Sequence, residues 1–230
     1  MSRQIILDTE TTGINPDDGH RIIEIGCIEV IDRRTTGNHY HQYINPQRGV
    51  DEGAFKVHGL SNDFLSDKPL FEDIVEPFLE FIKGAELLIH NAPFDVGFIN
   101  AELLRLNRPK VHTLCTITDT LDLARHKHPG QRNSLDALCK RYQVDATDRI
   151  YHGALLDAQL LADVYLNMTA GQNKMDFNEA NPVNNKQSIS NLQSTSPVIY
   201  ADLNETKLHH EFLAIIKKKA DKCVWDTFKG

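Results

Sequence analysis

The first 170 residues predict an α/β domain, because short apolar runs of strand length alternate with amphipathic runs of helix length, and turn residues punctuate them closely. Size agrees with this. A chain of 230 residues with 40% hydrophobic and 25% charged content can bury one full core and leave residues for a small second module.

The elements follow in order. Arg3 to Asp8 reads as a strand around Ile5-Ile6-Leu7, bounded by the Thr-Thr-Gly turn at 11–13. Arg21 to Ile31 and Asn38 to Ile44 read as two more strands, joined through the polar stretch between them, so the three form a meander. Leu70 to Ile82 has helical spacing despite Pro77, and Lys83-Gly84 ends it. Glu86 to His90 is a buried strand, Phe94 to Leu106 a helix, and Val111 to Cys115 a weak fifth strand. Helices are expected at Ile117 to Ala124, Ser134 to Tyr142 and, most strongly, Gly153 to Met168.

Beyond this domain the composition changes. Residues 171–197 are rich in Asn, Gln and Ser and read as a flexible linker. The segment 198–230 then carries Leu208, Phe212, Ile215 and Ile216 at helical spacing, followed by Lys217-Lys218-Lys219 and Val224-Trp225. A helix this short cannot bury its own apolar stripe, so it either packs on the first domain or docks to another protein.

Several function classes are excluded or disfavoured. The net charge of −7 argues against gripping long nucleic acid through a basic face, but leaves room for a nucleic-acid substrate met by metal ions. No apolar run is long enough to span a bilayer, so the cytoplasm is the expected location and no membrane partner is expected. Cys27, Cys115, Cys139 and Cys223 lack short paired spacing and read as reduced thiols, not as a zinc site or disulfide framework.

Chemistry concentrates in a few residues. Asp8 and Glu10 are two positions apart, so an extended backbone projects both carboxylates from one face, where a cation would relieve their repulsion. Taken alone, such a pair is more often two solvated turn acids. Asp157 falls within the apolar helical arc of Ala154, Leu161, Val164 and Met168, with Gln159, Asp163 and Asn167 opposite. A carboxylate on a core-facing stripe needs either a metal or a buried Lys or Arg partner, and both readings stand.

His152 lies just ahead of that helix, where the positive end of the dipole favours the neutral ring a general base needs; as a lone residue it reads equally as a turn histidine. Asp95 follows His90-Asn91-Ala92-Pro93-Phe94 beyond a strand end, where open sheets present ligands. With Glu102 among its helical neighbours, its inward-facing case is weaker, and an N-terminal helix acid is the competing reading. His58, in Val57-His58-Gly59-Leu60, is a candidate substrate contact against a surface alternative.

Together these residues resemble the DEDD exonucleases of the ribonuclease H-like fold, in the subgroup with a histidine base. Ile6-Leu7-Asp8-Thr9-Glu10-Thr11-Thr12-Gly13 is similar to the first motif, His90-Asn91-Ala92-Pro93-Phe94-Asp95 to the second, and His152-Gly153-Ala154-Leu155-Leu156-Asp157-Ala158 to the third. Arg132-Asn133-Ser134-Leu135-Asp136-Ala137-Leu138-Cys139 and the terminal Lys222-Cys223-Val224-Trp225 resemble blocks of the proofreading members.

The resemblance implies a five-stranded mixed sheet with helices on both faces, and two divalent ions, Mg²⁺ or Mn²⁺. It gives Asp8, Glu10 and Asp157 to the first ion, makes Asp8 the bridge to the second, has Asp95 act through water, and makes His152 the general base. Asp8, Glu10, Thr11, His58 and Asp157 would meet a single-stranded DNA 3′ end, releasing nucleoside 5′-monophosphates. A polymerase catalytic subunit would bind the C-terminal segment, a sliding clamp would bind residues 172–177 through Gln172, Met175 and Phe177, and a small accessory subunit could join. The bland reading of 172–177 is a spacer. One position departs from the pattern: the slot before Ala54-Phe55 that often carries Glu holds Gly53, with Glu52 one place earlier. Two rivals remain, an RNA 3′ exonuclease of the same superfamily and a non-catalytic subunit that braces a polymerase.

Overall fold

A computed structural model describes residues 3–147, 149, 151–170 and 202–219, the last three of these without their side chains. Three antiparallel strands start it: β1 (Arg3–Thr11), β2 (Ile22–Ile31) and β3 (Arg34–Tyr43). Two short helices follow, α1 (Glu52–His58) and α2 (Asn62–Leu65), and then the longer α3 (Phe71–Ile82). β4 (Glu86–Ile89), α4 (Ala92–Arg105), β5 (Thr116–Asp119), α5 (Thr120–Lys127), α6 (Leu135–Tyr142) and α7 (Ala154–Met168) complete the first unit.

The sheet has the order β3-β2-β1-β4-β5, with β4 parallel to both β1 and β5. This is the five-stranded mixed sheet expected. Period-two alternation along β1 divides the core between its faces. Ile5 and Leu7 join Phe71, Phe78, Phe98 and Leu103 of α3 and α4 on one side. Ile6 packs with Ile28, Leu88, Ala158 and Leu161 on the other, which is the side of α7.

Some expectations require correction. The polar stretch after β2 is not a loop: Asp32 and Arg33 take positive φ values of 48° and 64°, make a two-residue hairpin, and let β3 begin at Arg34. The expected strand at Val111 to Cys115 is a 3₁₀ turn at Val111–Thr113, and β5 starts at Thr116, within what reads as a helix from Ile117. Val111 and Cys115 are apolar because they plug the core below the sheet. Helices α1 and α2 had no counterpart among the expectations.

Chain contacts divide the protein into units Met1–Lys174 and Met175–Gly230. In the second, α8 (Leu203–Lys219) matches the expected helix, with Leu208, Phe212 and Ile215 exposed. The linker, residues 172–177 and the Lys222-Cys223-Val224-Trp225 terminus lie outside the described residues. Cys27, Cys115 and Cys139 are free and buried, as expected; Cys223 also lies outside the described residues. No helix among the described residues is long and apolar enough to cross a membrane.

Candidate active site

β1 runs on past Asp8 to Thr11, so the backbone stays extended and Asp8 and Glu10 continue the face that Ile6 presents to α7. Their cross-strand partners on β2 are Gly26 and Glu24. Gly26 has no Cβ, and one placed there would lie 2.3 Å from the Ala154 carbonyl carbon, so the first turn of α7 lies directly on the sheet. Glu24 is buried and meets Nε2 of His41 at 2.8 Å.

This docking brings Asp157, only 3% exposed, to the acid pair. A ligand atom each from Glu10, His152 and Asp157 falls within 4.8 Å of the others. The sequence left Asp157 between a metal and a buried cation. The structure supplies a cation: Arg149 grips both oxygens, Nε to Oδ1 at 2.5 Å and Nη2 to Oδ2 at 2.7 Å. Its Nη1 also pairs with Asp136. The same Nη2 lies 2.9 Å from Nδ1 of His152, which in turn approaches Oδ2 of Asp157 at 3.3 Å. The His152 side chain is 45% exposed and precedes Gly153, the N-cap of α7.

Asp95 is buried in the first turn of α4, so its helix-acid and inward-facing readings are both true. Thr9, on the opposite face of β1 from Asp8, donates Oγ1 to Asp95 Oδ1 at 2.7 Å. The loop into α4 is fixed by Asn91, in the left-handed region with φ 69°, whose N–H donates to Asp119 at 3.0 Å. His90 anchors it from the other side, with Nε2 2.9 Å from the Asn133 carbonyl.

The electrostatics follow from crowding acids in a dry place. Burial, then repulsion from Asp95, Glu10 and Asp157, holds the Asp8 carboxyl well above the usual carboxylate range. Burial, then Asp157, Glu24 and Asp95, pushes Glu10 up to about 8. Burial raises Asp95 to about 7 against the opposing Thr9 hydrogen bond. Asp157 alone is lowered: its burial is outweighed by hydrogen bonds from His152 and Arg149 and by the Arg149 charge. A donor set of clustered carboxylates plus imidazole, three of which hold protons more tightly than usual for want of positive charge, fits a divalent cation.

Beside the acids lies a cleft of about 400 Å³ lined by Glu10, Thr11, Ile14, Val57, His58 and Phe94, among others. Thr11 turns its hydroxyl inward to the Gly13 carbonyl at 2.6 Å. His58 is buried; its Nδ1 accepts from Leu60 N–H at 3.0 Å. Its Nε2 is buried without a partner at hydrogen-bond geometry, although the Thr11 backbone polarises the ring. Gly53 also lines the cleft, whereas Glu52 pairs outward with Lys56 at 2.6 Å. Sequence reasoning missed Arg149 and the apolar wall of Ile14 and Phe94. A lone cation three residues before His152 was the one available signal for Arg149.

The comparisons with known proteins bear on the same region. Residues 5–165 match a family model described as "Exonuclease". The chain is 50% identical over 237 residues to the DNA polymerase III subunit epsilon of Salmonella typhimurium, covering 98% of each chain. It is 48% identical to that of Escherichia coli K12, again over 98% of each. Among solved structures, exonuclease X bound to duplex DNA with a 5′ overhang aligns with TM-score 0.58 at 25% identity, over 72% of this chain and 90% of that one. The zinc-bound E. coli exonuclease I complex with single-stranded DNA aligns with TM-score 0.66 at 17% identity, over 75% of this chain and 41% of that one, which speaks to fold alone.

Proposed function

This chain belongs to the exonuclease family and, within it, to the epsilon subunits of DNA polymerase III, and on that premise we propose that Asp8, Glu10, Asp95, Asp157 and His152 form its active site. It is a metal-dependent 3′ to 5′ exonuclease with the proofreading role of a replicative polymerase subunit. The observation that carries the site assignment is the convergence of Glu10, His152 and Asp157 within 4.8 Å, on the face of β1 that also bears Asp8.

In this reading Asp8, Glu10 and Asp157 would hold two divalent ions, Mg²⁺ or Mn²⁺. Asp95, fixed by Thr9, acts through water. Such ions lower the pKa of water and neutralise charge that builds on the phosphodiester oxygens. His152, half exposed at the mouth of the site, takes the proton of the attacking water in an in-line displacement that frees a nucleoside 5′-monophosphate. The 3′-terminal nucleotide enters the cleft, its base against Ile14, Val57 and Phe94, beside Thr11 and His58. With Gly53 in place of a carboxylate, that end of the cleft relies on Thr11 and His58. A mispaired terminus frays more readily than a paired one, so a site that takes single strands removes errors first.

The polymerase catalytic subunit is the partner we assign to segment 198–230, with 1–170 as the catalytic domain and 171–197 as linker. The names of the relatives support this assembly and a cytoplasmic place of work. The sliding clamp, through Gln172, Met175 and Phe177, and a small accessory subunit are further partners of the same proposal. The test is digestion of a 3′-labelled single-stranded DNA and its RNA counterpart, with Mg²⁺ and with chelator. Mg²⁺-dependent release of 5′-monophosphates from DNA is expected. Release that survives chelation, or a preference for RNA, would refute it.

A further inference from the structure

Arg149 lies on the irregular connection between α6 and α7, with its side chain only 8% exposed. Its fork takes both oxygens of Asp157 at 2.5 and 2.7 Å, so each oxygen already accepts a charge-assisted hydrogen bond from a cation. A divalent ion held by Asp157 needs one of those same oxygens. We infer that Arg149 is a gate on metal loading: its guanidinium competes with the divalent ion for Asp157 and must move onto Asp136 before the site can fill. The inference rests on the site assignment above.

Three features support a gate over a fixed ion pair. The first is a seat to retreat to, since Nη1 already pairs with Asp136, whose side chain is 63% exposed and has solvent on its other side. The second is room, because Arg149 and Asp136 border a cleft of about 430 Å³ with Cys139, Lys140, Val144 and Thr147. Moving from one carboxylate to the other is then a rotation of the side chain, with no refolding of a helix.

The third is the effect on His152. Nη2 lies 2.9 Å from Nδ1, the same nitrogen that approaches Oδ2 of Asp157 at 3.3 Å. Nδ1 is therefore engaged by the Arg149–Asp157 pair. Arg149 thus holds the metal ligand Asp157 and one ring nitrogen of the base together, and releasing it frees both.

The experiment is a Mn²⁺ titration of the full-length chain, with free Mn²⁺ followed by electron paramagnetic resonance, for wild type, Arg149→Gln and Asp136→Asn. Loss of the competitor is expected to tighten Mn²⁺ binding on the order of tenfold in Arg149→Gln. Loss of the retreat seat is expected to weaken it several-fold in Asp136→Asn. Folded Arg149→Gln with wild-type or weaker Mn²⁺ affinity would overturn the gate. Should Arg149→Gln fail to fold, Asp136→Asn decides, and wild-type affinity there overturns it equally. Wild type that binds no Mn²⁺ would sink the site assignment itself, and the gate with it.

Discussion

Gly26 faces Asp8 across the β1–β2 ladder, and the missing side chain of the first lets the helix that carries the third acid lie against the second. A methyl group at Gly26 would meet backbone of Ala154 and Leu155 at 2.3 Å, and backbone cannot rotate away. Gly26→Ala is therefore expected to cost about 1 to 3 kcal/mol of stability through overpacking. Because α7 must lift, Asp157 shifts from Glu10, and exonuclease activity should fall more than stability alone explains. Thermal unfolding and turnover at a temperature where the variant stays folded check this. A fully active Gly26→Ala would mean that the helix position does not matter to the site.

The proposed ligands and the proposed base predict separable losses. His152→Ala is expected to keep Mn²⁺ binding, because the carboxylates remain, and to lose about 10² to 10⁴ in rate. Asp8→Ala is expected to lose both. Isothermal titration with Mn²⁺ beside steady-state turnover distinguishes them, and near wild-type turnover by His152→Ala would remove it as the base.

The raised carboxylates make a pH prediction for the metal-free protein. Glu10 and Asp95, at about 8 and 7, sit above their unfolded values near 4, so between pH 4 and 8 the native state binds more protons than the unfolded state. Stability from these groups is complete at low pH and lost as pH rises toward 8. Asp157 is shifted down, and its contribution is lost only as pH falls below its ordinary range, outside that window. Without divalent ions the unfolding temperature should drop from pH 5 to 9. Saturating Mn²⁺ should flatten or reverse the slope and release protons on binding near pH 7, which calorimetry in buffers of different ionisation enthalpy measures.

Glu102 illustrates how far the site could be read in advance. Its place beside Asp95 on α4 weakened the case for an inward-facing Asp95, since two acids on one stripe suggest a solvated face. Both are buried: Arg21 reaches across to Glu102 from the start of β2, Nε to Oε1 at 2.5 Å and Nη2 to Oε2 at 2.7 Å, and Thr9 donates to Asp95. Local periodicity exposed Asp8, Glu10 and Asp157, because the spacing that singles each out lies within its own strand or helix. Arg21, Arg149 and Thr9 act across the fold, and no spacing reports them. β5 escaped for a related reason, as Thr116-Ile117-Thr118-Asp119 is a half-exposed edge strand with one apolar residue, while the apolar run before it belongs to a turn. The pair gives its own test: Arg21→Met leaves a buried charge at Glu102, 2% exposed, and should cost about 3 to 5 kcal/mol. Adding Glu102→Leu should recover most of it. A single variant as stable as wild type in urea unfolding would show the pair to be dispensable.

On α8, Leu208, Phe212 and Ile215 are 53 to 61% exposed, and a helix with such a face gains stability chiefly by covering it. The acids, His152 and the cleft all lie before residue 170, so a chain ending at 171 retains every group assigned to chemistry. Deleting residues 172–230 is expected to leave turnover on single-stranded DNA within about twofold, since the effect of removing distant groups is small. Binding to the polymerase catalytic subunit should be lost. Co-elution of the truncated chain with that subunit would refute the assignment. The narrower substitution Phe212→Asp, which leaves the linker and terminus intact, then tells whether the helical face itself makes the contact: retained binding would place it instead in the basic run or the terminus.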